Sequence, residues 1–395
     1  MLDFEIQKQQ ARQSMACRTP DRIFSLDFGI SFFPILAALL ILVLVASCGR
    51  TPDLIGVDNP KFPTSSISGA SRQKIFIMTT REASEVVDVF YNDERAPNVG
   101  LASVVVSIPP NHLPGQLEAP RRLPPDPSKE FAVVDPVVYE ADSAFVKDIN
   151  RELLKRAPAD RTIMFFVHGY NNTTSEAVLR MAQFVEDTNF NGIPILFTWA
   201  SGAKPAKYVY DLNSALVARE QLKPTFEIVA RTNARTVDIF AHSMGSLLVM
   251  EGIVQADLSG RFNRSGRLGS VVLASPDIDI DLFRSQLRQI ETDFSRIFVL
   301  VAKDDRILKI SRTLSGGVER VGSSDVAQLS DLGVVVIDLS QIDDSAAGSH
   351  TKFAGSPELV QVIGRGLKAR QLNPDVPAGS LGGMLAGVPI KIVAD

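Results

Sequence analysis

One short stretch carries the strongest chemical signal in this chain. In Ala241-His242-Ser243-Met244-Gly245, a serine is flanked two residues away on either side by minimal side chains. The stretch follows the β-branched run TVDIFA (236–241) and precedes apolar residues of helical period. A strand that turns sharply into a helix needs such small neighbours, and the turn holds the serine hydroxyl out at the sheet edge as a nucleophile. The pattern alone is weak, because about 0.1 matches arise by chance in a chain of this length, and accepting Ala at the first position doubles that. Its placement between strand and helix is what raises it above the competing role, a serine that simply caps the helix.

A nucleophilic serine needs a base to take its proton. The chain has four histidines. His242 adjoins the serine in the tight turn, where its ring would point away, and it reads as a packed, hydrogen-bonded residue. His112 lies in a Pro-rich loop, and His168 follows the apolar run TIMFFV (162–167). His350, in GSHTKF (348–353) after the last apolar run, is the base that position favours; as an ordinary loop histidine it would leave Ser243 without a partner. An acid should then orient the imidazole and stabilise its charged form. Asp305, which follows RIFVLVAK (296–303), is the first candidate, with Asp277 and the adjacent Asp304 as alternatives; each could instead cap a helix or sit solvated in a loop. The backbone N–H groups of Met244, at the start of its helix, and of Tyr170, after TIMFFV, are the expected oxyanion donors. Losing one such donor typically costs about 2.7–4 kcal/mol in the transition state.

These residues need a frame that brings strand ends together. KIFIMTT (74–80) and LASVVVSI (101–108) are the first strands expected, and 109–127 reads as an irregular Pro-rich loop. From residue 162 apolar runs alternate with helical patterns: TIMFFV, PILFTW (194–199), TVDIFA, GSVVLA (269–274), RIFVLV (296–301) and GVVVIDL (333–339). Near-continuous apolar strands separated by helices imply an α/β fold, a mostly parallel central sheet with helices on both faces. Ligands of such sheets bind beyond the carboxyl ends of the strands, where Ser243, Asp305, His350 and the loop of Tyr170 all fall. Trp199, Tyr208 and Tyr210 also follow a strand end, and either line an acyl pocket or pack helix against sheet.

Composition narrows the classes of function. Of 395 residues, 45% are apolar and 22% charged, with a net charge of -4, which is a globular balance without the basic field of a nucleic-acid binder. Two cysteines exclude a disulfide scaffold and a Cys-based zinc site. Neither H-E-x-x-H nor a Gly-rich phosphate loop occurs, so no metal and no nucleotide cofactor is implied.

The front of the chain is different. Residues 28–46 form a run without a charge, preceded by Lys8, Arg12, Arg18 and Arg22. Such a run is either a membrane-spanning helix or the core of a secretion signal. The Val45-Ala46-Ser47-Cys48-Gly49 that follows resembles a bacterial lipobox, which implies lipidation at Cys48. Both alternatives put the domain outside the cytoplasmic membrane, facing the periplasm or the exterior, because positive charge stays inside. The expected organisation is a signal or membrane segment (1–47), a flexible tether (48–71), the α/β domain (72–370) and a Gly/Pro-rich tail (371–395).

Taken together, these stretches resemble the α/β-hydrolase superfamily, and more narrowly the bacterial hydrolases grouped as the DUF900 family. The resemblance rests on MTTR (78–81), VSIPPNHLPG (106–115), FFVHGYNN (165–172), FTWASG (197–202), YVYDLNSA (208–215), FAHSMGS (240–246), LASPDIDIDLF (273–283) and AKDD (302–305). It implies a Ser–Asp–His hydrolase in that chain order, with the roles falling on Ser243, Asp305 and His350; Ala241 in place of glycine is the one departure. Arg81 and His112 recur in these stretches without an assigned role. The reading that follows is a serine hydrolase acting on a small-molecule or lipid ester through an acyl-enzyme. An amidase, thioesterase or acyltransferase on the same triad is open, as is a non-catalytic envelope protein that uses the fold as a binding platform.

Overall fold

The computed structural model describes residues 52–53, 55–291, 296–342, 349–361, 363 and 391–393. The chain divides into two units, Met1–Arg50 and Thr51–Asp395, and every described residue belongs to the second. The apolar run 28–46, Cys48 and most of the tail lie outside the described residues.

In chain order, three strands come first: β1 (Ser71–Ala83), β2 (Tyr91–Ile108) and β3 (Ala132–Tyr139). Then follow α1 (Asp142–Leu154), β4 (Thr162–Val167), α2 (Thr174–Asp187), β5 (Ile193–Thr198), α3 (Tyr208–Ala218), α4 (Leu222–Ala230), β6 (Thr236–His242) and α5 (Met244–Leu258). The last part comprises β7 (Leu268–Ala274), α6 (Ile280–Gln289), β8 (Ile297–Val301), α7 (Arg306–Leu314), α8 (Val326–Ser330), β9 (Val335–Asp338), α9 (Lys352–Gly355) and β10 (Lys391–Val393). The strands form one sheet in the order β10-β9-β8-β7-β6-β4-β5-β1-β2-β3. It is parallel from β9 to β1 and antiparallel at both margins.

Strand residues alternate between two cores, as a period of two requires. Ile163, Phe165 and Val167 of β4 belong to one cluster, and Met164 and Phe166 to the other; Ile297, Val299 and Val301 of β8 are split from Phe298 and Leu300 in the same way. Both faces are therefore covered, which is why these strands read as unbroken apolar runs. The chain leaves β4 for β5 on one side and later returns to pair β6 on the other. The loops after β4 and β6 thus flank the point where strand order reverses, the usual crevice of open α/β sheets.

Three segments differ from expectation. Residues 52–70 are held against the domain rather than free as a tether: Ile55 is buried, its N–H donates to the Asp88 carbonyl at 2.6 Å, and Gly56 N–H donates to Val133 O at 2.9 Å. Asp53 Oδ1 accepts from Ser175 N and Oγ at the start of α2, where a carboxylate suits the helix dipole. A Pro/Gly-rich composition concealed these few anchors. The strand β3 escaped notice because it contains Pro136. It is an edge strand paired only with β2, and at Asp135 (φ 51°) two residues bulge opposite Val104, so the missing N–H costs no ladder bond. Within the tail, 391–393 add an antiparallel strand to β9. No helix among the described residues is long and apolar enough to cross a membrane.

Candidate active site

Ser243 stands between β6 and α5 with φ 53° and ψ -124°, a backbone conformation that costs a non-glycine residue on the order of 1–3 kcal/mol. Its surroundings fix that conformation. Ser243 N–H donates to Ala274 O at 2.9 Å, and its carbonyl accepts from Ser246 N at 3.0 Å and Asp277 N at 3.2 Å. The small neighbours are needed for space: a Cβ on Gly245 would lie 2.4 Å from His168 O, and Ala241 is fully buried in the core. A Cβ on Gly169 would lie 2.8 Å from Ser243 Cβ, so the loop after β4 rests directly on the turn.

His350 and Asp305, 45 residues apart, are brought together: Nδ1 lies 2.8 Å from Oδ2. Asp305 is wholly buried, and its other oxygen accepts from Ile307 N (2.9 Å) and Leu308 N (3.0 Å), capping α7. The carboxylate is thereby a helix cap and an imidazole partner at once, held rigidly by the first role for the second. Among the described residues no hydrogen bond engages Nε2 of His350. The contact with a carboxylate makes Nδ1 the donor, which directs Nε2 away from Asp305.

The other two candidate acids have different partners. Asp304 accepts from Lys352 Nζ at 2.8 and 3.0 Å, and the same buried ammonium reaches Leu339 O at 3.1 Å, which ties the His350 segment to the end of β9. Asp277 accepts from Ser311 Oγ at 2.5 Å and Tyr208 OH at 3.1 Å, with Arg320 Nε 3.4 Å away as an ion pair without hydrogen-bond alignment.

His242 is packed and hydrogen-bonded, and its partner is the reason it matters: Nε2 donates to the carbonyl of His350 at 3.0 Å, with the two rings 4.8 Å apart. Burial first, and the charge of His350 next, hold its pKa well below the usual range, so it stays neutral with the proton on Nε2. The residue before Ser243 therefore fixes the main chain of His350 beside the turn.

The loop after β4 is held from beneath by buried polar groups. His168 stacks on Trp199 at 5.0 Å, donates through Nδ1 to Gly169 O (2.8 Å) and accepts at Nε2 from Thr198 Oγ1 (3.0 Å). Burial, with the charge of Arg81 second, lowers its pKa to about 3, so it is a fixed neutral spacer. Arg81, itself buried, donates to Thr198 Oγ1 (2.9 Å), Ser201 O (3.0 Å) and Asn172 O (2.7 Å). Asp211 accepts from Asn171 N (3.0 Å), Gly202 N (2.6 Å) and Ser201 Oγ (2.5 Å). These bonds leave the N–H of Tyr170, like that of Met244, without a protein acceptor among the described residues. Reading the sequence left Arg81 without a role and did not single out Asp211; for Arg81, a charged residue at the end of the apolar run of β1 was the available signal, and Asp211 in the first turn of α3 carried none. Trp199 does not line a pocket: it is fully buried and donates to His168 O at 2.9 Å. Tyr210 donates to Asp93 O and Tyr208 to Asp277, so both serve packing. No cluster of three or more metal-ligating side chains occurs among the described residues.

A parallel sheet whose strand order reverses beside a strained serine, with histidine and aspartate on later strand-end loops, defines an α/β hydrolase. The model of the family described as "Alpha/beta hydrolase of unknown function (DUF900)" matches residues 141–366, more than half of the chain, and the protein belongs to that family. The stretches MTTR and VSIPPNHLPG precede the matched residues. No curated protein matches the chain.

Proposed function

We propose that this protein is a serine hydrolase that cleaves a carboxylic ester through Ser243, His350 and Asp305. The observation that carries the reading is the 2.8 Å contact of His350 Nδ1 with a buried, helix-capping Asp305, with the His350 carbonyl bonded at 3.0 Å by His242, the residue before Ser243 in its strained turn. In this mechanism His350 Nε2 takes the Ser243 proton as Oγ attacks the ester carbonyl. The N–H groups of Met244 and Tyr170 receive the developing oxyanion, and the protonated imidazole delivers its proton to the departing alcohol. Water, activated by the same nitrogen, then releases the acid and restores Ser243. Asp305 keeps the imidazole in the required tautomer throughout. An acyl-bearing substrate is favoured by α7, which begins right after Asp305 and exposes Ile307, Ile310 and Leu314 along one side.

The test is labelling with a fluorophosphonate, followed by turnover of p-nitrophenyl esters of increasing chain length. The wild type should label and turn over, and Ser243→Ala should do neither; an unlabelled wild type with normal folding would overturn the reading in favour of a binding platform.

We further infer that the domain is tethered to a bacterial envelope at Cys48, or by an uncleaved 28–46 helix, on the outer side of the cytoplasmic membrane. Incorporation of a fatty-acid analogue that Cys48→Ala abolishes supports the lipid anchor. A membrane-bound but unlabelled protein supports the helix, and a protein released without detergent overturns both.

A further inference from the structure

At the end of the sheet opposite Ser243, where β6 and β7 begin, α4 and α5 part around a cavity of about 510 Å³. That is a size typical of small-molecule sites. Its walls are apolar, including Phe226 and Val229 of α4, Ile239 of β6, Ile253 and Ala256 of α5, and Leu268 of β7. Its mouth is cationic. Arg219, Lys223, Arg261, Arg264 and Arg267 line it, against one acid, Glu227.

The balance of charge there is uneven. Lys223 pairs with Glu227 at 3.3 Å and Arg219 Nη1 with Glu251 at 2.8 Å. Arg267 spends its donors on three carbonyls at and after the end of α4, those of Ala230, Thr232 and Ala234, so it caps that helix and is not free for a ligand. Arg261 and Arg264 are exposed, and their guanidinium groups have no hydrogen-bond or ion-pair partner among the described residues. In addition, Arg219 Nε is buried with no acceptor. An apolar cleft lined at its mouth by two unpaired guanidinium groups suits a molecule with one long apolar tail and one anionic head, since guanidinium groups bind carboxylates through paired, charge-assisted hydrogen bonds.

We propose that this cavity binds a long-chain fatty carboxylate, with the chain between α4 and α5 and the head at Arg261 and Arg264. The site is independent of the serine chemistry: it takes a ligand at the amino ends of the strands, whether or not Ser243 is a nucleophile.

Sodium laurate titrated into the full-length protein, followed by calorimetry below its micellar concentration, tests it. Saturable binding of one laurate is expected, at least 10-fold tighter than dodecyltrimethylammonium, which carries the same chain on a cation. The exposed double variant Arg261→Glu/Arg264→Glu should weaken laurate at least 10-fold and tighten the cationic amphiphile, while Ser243→Ala changes neither. Ile253→Trp, which fills the cleft, should abolish both; because it risks misfolding, the charge variants decide. Laurate binding unchanged by charge reversal, lost in Ser243→Ala, or equal for both head groups would overturn the proposal. So would a dimer that charge reversal dissociates in the absence of any laurate binding, which would make a second copy the occupant.

Discussion

His350 and His112 both meet carboxylates at nearly the same distance, yet their two surroundings differ. Among the described residues His350 meets one carboxylate, Asp305 on Nδ1, and no hydrogen bond engages its Nε2. His112 has two, Glu118 Oε2 at 2.7 Å from Nδ1 and Asp187 Oδ1 at 2.8 Å from Nε2. Burial alone would lower the His112 pKa, but two carboxylate hydrogen bonds outweigh it and raise the value to about 9. At neutral pH His112 therefore holds protons on both nitrogens and has no lone pair to offer. A second carboxylate turns an imidazole from a base into a clamp. What it clamps is the Pro-rich loop: Asp187, at the end of α2, also accepts from Gly115 N and from Gln183 Nε2, and Gln183 reaches Ala354 O, four residues past His350.

The comparison breaks first at the proposed nucleophile. Ser243→Ala should lower kcat on p-nitrophenyl esters by roughly 10⁶-fold with the melting temperature unchanged or raised, because a strained position is relieved of no packing. Asp305→Asn should cost about 10⁴-fold by presenting the wrong tautomer, while Asn still caps α7, so thermal stability should hold. Asp305→Ala should lose the activity and also about 1 kcal/mol of stability. Equal melting temperatures for the two Asp305 variants would remove the cap from the argument. At the clamp the pattern should invert. His112→Leu leaves the buried Asp187 and the partly exposed Glu118 without a cation and should destabilise by about 3 kcal/mol in urea unfolding, with kcat per folded molecule little changed. A large fall in kcat at unaltered stability would instead place His112 in the chemistry.

The two regions also differ in how far their sequences disclose them. The parallel core was readable because β4 and β8 are apolar on both faces, so their runs are unbroken. The crevice was readable because the strand-end rule points to the residues that follow such runs. His350 and Asp305 could be proposed on that basis; their contact, across 45 residues and the whole of α7 and β9, could not. The supports were less legible. His242 bonds a main-chain carbonyl, which leaves no mark on the identity of its partner. Arg81 and Asp211 act on loop backbone from opposite sides, with partners such as Ser201 and Asn172 that have no spacing pattern. The anchors of 52–70 are single residues, Asp53 and Ile55, in a segment whose composition reads as linker. Periodicity reports repeated burial; it is silent about a contact made once.

A further expected effect is a change of slope with pH, and its sign separates the histidines. His112 has a folded pKa of about 9 against an unfolded 6.5, so the folded state holds the proton more tightly. Its contribution to stability is complete below pH 6.5 and is lost as pH rises through about 9; a displacement of that size corresponds to on the order of 3 kcal/mol. His168 lies on the other side. With a folded pKa of about 3 it stays neutral where the unfolded chain takes up a proton, so its contribution is complete above pH 6.5 and declines as pH falls toward 3. Urea midpoints of the wild type should therefore fall on both flanks. In His112→Gln, which retains one amide donor to a carboxylate, the decline between pH 6.5 and 9 should become shallower, while the acid flank keeps its slope. Because tyrosine and lysine titrations are common to both proteins, the difference between the two curves isolates the clamp. Parallel curves from pH 6.5 to 9 would mean that His112 does not hold its second proton more tightly in the folded protein.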